Sequence, residues 1–299
     1  MIQTLDLHFL NKPDTIAAFL IETSVGPVLI ESGPYSTFPQ LQKLLQEKGY
    51  QIGDVKHVFI THIHLDHAGA AWAFAEQGAT IYVHPLGQKH LHNPEKLWNS
   101  AKMIYQEHME RLWGDMKGIA AEKLYVVENG EKIQLGDTEI IAWHTPGHAI
   151  HHIAWQLGEN LFCGDVGGVR IGNGIVIPPC PPPDINVEDW QQSLDLIRKL
   201  NVKTFYLTHY GTFTDIENHL DTLEKRLLER AEWIKPYFEQ QKTPEEITPL
   251  FQQYVREELV ENGATNEEQI QQYENANPSW MSVAGLLRYW HKKENVKNL

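Results

Sequence analysis

The chain has 299 residues, of which 42% are hydrophobic and 21% charged; that profile belongs to a globular protein with a sizeable core, not to a disordered chain. With 25 basic against 39 acidic residues its formal charge is −14, so the average surface repels nucleic-acid phosphates and anionic membranes. Two cysteines, Cys163 and Cys180, are too few for a disulfide framework and predict a reducing, cytoplasmic compartment, and no run reaches the roughly 18 apolar residues that span a bilayer.

Short apolar runs bounded by Gly, Pro or polar turns predict strands over 15–23, 27–32 and 55–61. Between the last two, Leu41, Leu44 and Leu45 at helical spacing predict a helix over 38–49, with Gly49 placed to end it. "AGAAWAFAEQG" predicts a helix over 68–78, and "TIYVH" a strand over 80–84. Over 86–118, Trp98, Ala101, Tyr105, Met109, Leu112 and Met116 recur at spacings of three and four. That stripe predicts a helical segment packed on the core, or a lid whose Met and aromatic face shapes a substrate pocket. Further strands are predicted over 138–144, 152–157, 160–165 and 204–209, with a helix over 189–200. "IPPCPPPD" (177–184) cannot join a sheet ladder and predicts a stiff loop. From Thr214 onward the chain reads as nearly all helix, with Ile216, Leu220, Leu223, Leu227, Ala231 and Ile234 in one stripe. Strands interleaved with helices predict an α/β class.

The stretch "THIHLDHAG" (61–69) follows the apolar run "VFI" directly and places His62, His64, Asp66 and His67 within six positions. Imidazole and carboxylate suit zinc, and also iron or manganese. A lone histidine would be read as a surface or hydrogen-bonded residue, but four such groups so close together point to a metal site. Three more candidate ligands follow other predicted strands: His148 in "HTPGHAIHH", Asp165 in "FCGDVGG" and His209 in "YLTHYG". The resulting five histidines and two carboxylates are too many for one ion of roughly four to six ligands. They suit two ions sharing a carboxylate.

The order THxHxDHxG, TPGH, GD and a late His resembles the metallo-β-lactamase superfamily. The resemblance covers residues 1–228, with a helical insert at about 86–118, and leaves 229–299 as a helical extension. It implies an α/β (α+β) fold of the αββα sandwich type. It implies that His62, His64 and His148 bind one metal ion, that Asp66, His67 and His209 bind a second, and that Asp165 bridges them. The implied cofactors are two divalent ions, zinc first and iron or manganese as alternatives. The implied activity is hydrolysis of a small ester, thioester or lactone by a metal-bridging hydroxide, with Asp66 as the catalytic residue that relays a proton to the leaving group. Two alternatives stand beside it: an iron-dependent oxidoreductase resembling the persulfide dioxygenases, which use fewer metal ligands, and a non-catalytic metal-binding relative. The expected partner is a small-molecule substrate, with no nucleic acid and no membrane, and a homodimer is allowed. The chain departs from the family pattern in places. Glu31 stands where relatives commonly have Asp, His151 where many have a small residue, and "LTHYG" where glyoxalase II enzymes have a GHEYT-like segment. His152 and His144 are expected to support the ligands, and His84 to be an ordinary hydrogen-bonded histidine.

Overall fold

The computed structural model describes residues 1–264 and 266–297. Two six-stranded sheets form its middle layers. The first contains, in chain order, β1 (Ile2–Asp6), β2 (Ala17–Thr23), β3 (Gly26–Ile30), β4 (His57–Phe59), β5 (Thr80–Val83) and β6 (Leu124–Val126). Strands β1 to β3 pair antiparallel and β3 to β6 run parallel. The second is built from β7 (Lys132–Leu135), β8 (Thr138–His144), β9 (Ile153–Leu157), β10 (Asn160–Phe162), β11 (Thr204–Leu207) and β12 (Gly211–Phe213). It is antiparallel except for the β10–β11 pair.

Strand alternation explains the layering. Phe19 and Ile21 of β2 belong to the core between the sheets, where the Phe19 ring lies 5.2 Å from that of Phe162. Ala18 and Leu20, one residue out of phase, belong to the outer core shared with Leu41 and Leu45 of α1 (Phe38–Glu47). Helices α2 (Leu65–Ala68) and α3 (Ala71–Glu76) lie on the same side, α3 contributing the buried Phe74. On the far side of the second sheet, Leu161 and Phe205 share a core with Trp190 and Leu194 of the later helix 187–198. The order helix, sheet, sheet, helix is the sandwich expected. With both faces covered, the inner strands read as unbroken apolar runs.

The 86–118 segment is not one helix. It folds as α4 (Pro85–His92), α5 (Glu95–Tyr105) and α6 (Met109–Trp113). Pro94 separates the first two, and Gln106 and Gly114, at φ 47° and 71°, end the other two. Met109 and Met116 pack into the outer core, whereas Ala101, Tyr105 and Leu112 reach a cavity described below. The methionines expected to shape a pocket therefore pack in the core, and the aromatic side chain stays at the pocket.

After α7 (Val187–Arg198), capped by the Asn186 side chain accepting from Asp189 N at 3.0 Å, the chain closes with four helices. These are α8 (Ile216–Glu239), α9 (Pro244–Glu261), α10 (Glu267–Ala276) and α11 (Ser279–Lys297). Leu220, Leu223, Leu227, Ala231 and Ile234 of α8 join the same core as Trp190 and Phe205. The expected division at residue 228 falls in the middle of α8, so no linker marks it.

Candidate metal centre

Each metal-capable side chain lies just past the end of a strand or in the turn that follows. His62 follows Ile60 and Thr61 beyond β4. His64 is the N-terminal cap residue of α2, and Asp66 and His67 lie on that short helix. The backbone is tucked in by the Ser32 N–H donating to His67 O at 2.9 Å. Gly69 closes the turn because a Cβ there would come within 2.4 Å of Leu65 O and 3.0 Å of Pro34 Cα. His148 follows β8, Asp165 sits in the turn Gly164–Gly167 after β10, and His209 follows β11. All are buried except the half-buried His64 and Asp66.

The seven side chains converge in two groups. Nε2 of His62 and Nε2 of His148 lie 2.9 and 3.0 Å from His64 Nδ1. Asp66 Oδ2 lies 3.6 Å from His67 Nε2 and 3.3 Å from His209 Nε2. Asp165 stands between the groups. Its Oδ2 is 3.3 Å from His148 Nε2, and its Oδ1 is 3.2 Å from His67 Nε2 and 3.5 Å from His209 Nε2.

The far nitrogens explain the aim of the near ones. His148 Nδ1 donates to Pro179 O at 2.9 Å and His209 Nδ1 to Thr15 O at 2.8 Å. His67 Nδ1 donates to Glu31 Oε1 at 2.8 Å. His62 Nδ1 donates to Thr61 Oγ1 at 3.0 Å, and that hydroxyl donates on to Glu31 Oε1 at 2.5 Å. With each Nδ1–H committed, the Nε2 lone pair is turned inward, the arrangement that orients histidine ligands in metal sites. Glu31 anchors this set. It is fully buried at φ 66° and also accepts from Thr208 Oγ1 at 3.2 Å.

The protonation states suit cation binding at the first group. Burial, then the neighbouring histidines, keeps His62 well below its usual pKa, and burial and His148 push His64 down to about 3. Burial would raise Asp66, but His67 and His209 outweigh it and bring it to about 2. Burial would lower His67 and His209, but Asp165 and Asp66 outweigh it and raise both. A proton there occupies the place that a cation would take. Three buried atoms in the middle of the cluster, His67 Nε2, Asp165 Oδ1 and His209 Nε2, have no hydrogen-bond partner among the described residues. Unpaired buried acceptors pointing at one another are costly unless a positive charge joins them. The residues therefore fit a metal ion.

The other predicted histidines have separate roles. His152 Nδ1 lies 2.8 Å from Thr145 Oγ1, and its Nε2 accepts from Val166 N at 3.3 Å, which steadies the turn carrying Asp165. His144 does not reach the ligands: its Nε2 donates to Val127 O at 3.0 Å, and its ring lies 4.1 Å from that of His84. His84 caps α4 by accepting from Leu86 N at 3.1 Å. Cys163 is buried in the core.

A cavity of about 660 Å³ opens over the cluster, with His64, Asp66, His148, Asp165 and His209 in its lining. Ile104 and Tyr105 of α5 meet Trp280 and Met281 of α11 in its lining, where the Tyr105 and Trp280 rings are 5.8 Å apart and the Tyr105 hydroxyl lies 4.0 Å from Met281 Sδ. The contribution of α11, and those of the Thr15 and Pro179 carbonyls, carry no motif and were not expected. Among the described residues no helix is long and apolar enough to cross a membrane.

Comparison with known proteins agrees with this geometry. The family model of the metallo-beta-lactamase superfamily matches residues 11–209. The chain is 30% identical over 182 residues to the metallo-beta-lactamase fold-containing protein ST1585 of Sulfurisphaera tokodaii, covering 59% of this chain and 67% of the relative. It is 23% identical over 190 residues to hydroxyacylglutathione hydrolase 1 of Vibrio vulnificus, where the match covers only 60% of either protein. Among solved structures, the metallo-beta-lactamase family protein TTHA1429 of Thermus thermophilus superposes with a TM-score of 0.66 at 18% identity, over 98% of this chain and 94% of that one. That likeness extends the shared fold through the C-terminal helices. The strand-end histidines and aspartates, the two-sheet sandwich and a family match spanning residues 11–209 lead to one conclusion: the chain belongs to the metallo-beta-lactamase superfamily.

Proposed function

We propose that the protein is a metal-dependent hydrolase of a small ester, thioester or lactone. The observation that carries this reading is the placement of Asp165, whose two carboxylate oxygens face two separate groups of ligands. In this reading His62, His64 and His148 hold one divalent ion, Asp66, His67 and His209 hold a second, and Asp165 bridges them. Zinc is the expected metal, with iron or manganese as alternatives, because the donors are imidazole and carboxylate without thiolate. Metal ions bound there would polarise the substrate carbonyl and lower the pKa of a water nucleophile toward about 7.

The chain's own residues do the rest. Glu31, Thr61, Thr15 O and Pro179 O hold the imidazoles in one tautomer and one orientation. The apolar walls exclude bulk water, which strengthens every charge interaction inside. Asp66 is half-buried and lines the cavity, so it can take a proton from the nucleophile and return it to the leaving group. The presence of a complete second group, Asp66, His67 and His209, favours this reading over an iron-dependent oxidoreductase with fewer ligands. The relatives named hydroxyacylglutathione hydrolases support a thioester among the candidate substrates.

The test is a hydrolysis screen of zinc-, manganese- and iron-loaded protein against esters, thioesters and lactones. Metal-dependent turnover of at least one class is expected. Oxygen uptake with an iron-loaded protein and no hydrolysis would replace this reading with the oxidoreductase one.

A further inference from the structure

The long walls of the cavity are apolar, but one end is not. Lys89 and His90 of α4, Lys96 at the start of α5, His151 and Asp184 all belong to its lining. Lys89 and His90 stand on α4, Lys96 opens the helix that follows, a Cβ on Gly87 of α4 would lie 3.8 Å from His151 Cβ, and His151 Nε2 is 3.8 Å from Asp184 Oδ2, so these groups share one locality. Among the described residues neither lysine forms an ion pair. Two ammonium groups against the one carboxylate of Asp184 leave that end positive, in a chain whose formal charge is −14. His151 adds a buried hydrogen-bonding group. It is only 6% exposed, its Nδ1 has no hydrogen-bond partner among the described residues, and its Nε2 lies 3.8 Å from Asp184 Oδ2. A buried ring nitrogen with no protein partner is costly unless something else satisfies it.

Building on the hydrolase reading, we infer that the substrate is an anionic amphiphile: its apolar body lies along the apolar lining that α5 and α11 contribute, and its negative group sits where Lys89, Lys96 and His151 line the cavity. Ammonium groups on flexible stems accept either a carboxylate or a phosphate, since they act as mobile point charges. Ile104, Tyr105, Trp280 and Met281 provide apolar contact for a chain or ring of several carbons. The lysines supply selection for charge, which an apolar cleft alone cannot give.

Trp113 and Trp280 line the cavity, so their fluorescence reports occupancy without turnover. Metal-loaded protein is titrated with octan-1-ol, octanoate and octyl phosphate. At least one of the two anions is expected to bind about tenfold or more tightly than the alcohol, and the tighter one identifies the group. Lys89→Gln/Lys96→Gln is expected to remove most of that preference and to leave octan-1-ol binding within about twofold. His151→Leu should weaken the anion more than the alcohol. Equal binding of all three ligands, no saturable binding of either anion, or a preference that survives the double substitution because the metal ions supply it, overturns the proposal. A protein that hydrolyses esters can fail this test, and one that hydrolyses none can pass it, so the two proposals fail separately.

Discussion

Glu31 carries the largest share of positioning by a single side chain outside the cluster. Its carboxylate receives the Nδ1–H of His67 and the hydroxyls of Thr61 and Thr208, and Thr61 in turn holds His62. One buried carboxylate thus orients a histidine in each of the two groups of the cluster. Glu31→Gln can keep one acceptor but loses the charge that fixes the His67 tautomer. It is expected to weaken metal binding by about 10- to 100-fold with little change in the fold, measured by competition with a chelator and by circular dichroism. Unchanged affinity would show that His67 is oriented by something else. The seven candidate residues were legible in the sequence because they stand at strand ends or in a dense motif, and the fold brings them together in overlapping groups that could hold a metal. The carbonyls of Thr15 and Pro179 were not legible, since a backbone oxygen leaves no mark on residue type. His144 was misplaced for a related reason: only the fold shows that its nitrogen is committed to Val127 O.

The elements divide by how strongly their burial patterns the sequence. Strands covered on both faces, such as β2, β3 and β5, appear as apolar runs and were expected. The edge strand β1 and the short β6, β7 and β12 have partly exposed, mixed sequences and gave no signal. The insert kept its helical spacing across breaks at Pro94 and Gln106, so periodicity alone suggested one helix where there are three. Helix α11 shows the reverse case. Its interior Gly285 looks like a weak point, because Ala is about 1 kcal/mol better in a helix. Yet a Cβ there would stand 1.9 Å from Cys180 O and 2.8 Å from Pro181 C, so the helix lies directly on the proline-rich loop that lines the cavity. Gly285→Ala is therefore expected to lower the melting temperature and raise KM by displacing α11 and its wall. A thermal scan with a raised melting temperature would refute that packing argument.

Across the whole molecule, a buried charge cluster ties α9 to α8, and α8 packs on the sandwich through its apolar face. Arg226 and Arg230 of α8 share Glu258 of α9, at 2.5 and 2.9 Å, and the Arg230 side chain is fully buried. Three further nitrogens of the two guanidinium groups, Arg226 Nη1, Arg230 Nε and Arg230 Nη1, have no hydrogen-bond partner among the described residues. Replacing Glu258 by Gln leaves both charges buried without a counter-ion and is expected to cost about 3–5 kcal/mol of stability, read from urea denaturation. A loss below about 1 kcal/mol would mean that water reaches the arginines and the pair behaves as a surface one. Tyr273 of α10 adds a second tie by donating to Ile175 O at 2.7 Å and accepting from Ile171 N at 3.1 Å, in the loop that follows Asp165. The extension thus contributes to the lining of the cavity and braces the segment that carries Asp165. None of this was legible beyond "helical", since the partners lie far apart in the chain. The sharing of Asp165 between two metal ions can be tested by metal content. Wild-type protein, loaded and freed of excess metal, is expected to hold two ions per chain. Asp165→Asn is expected to lose most of that metal together with hydrolytic activity while the circular dichroism spectrum is kept. A wild-type content of one ion per chain, or an Asp165→Asn protein with two ions and full turnover, would contradict the shared-carboxylate centre.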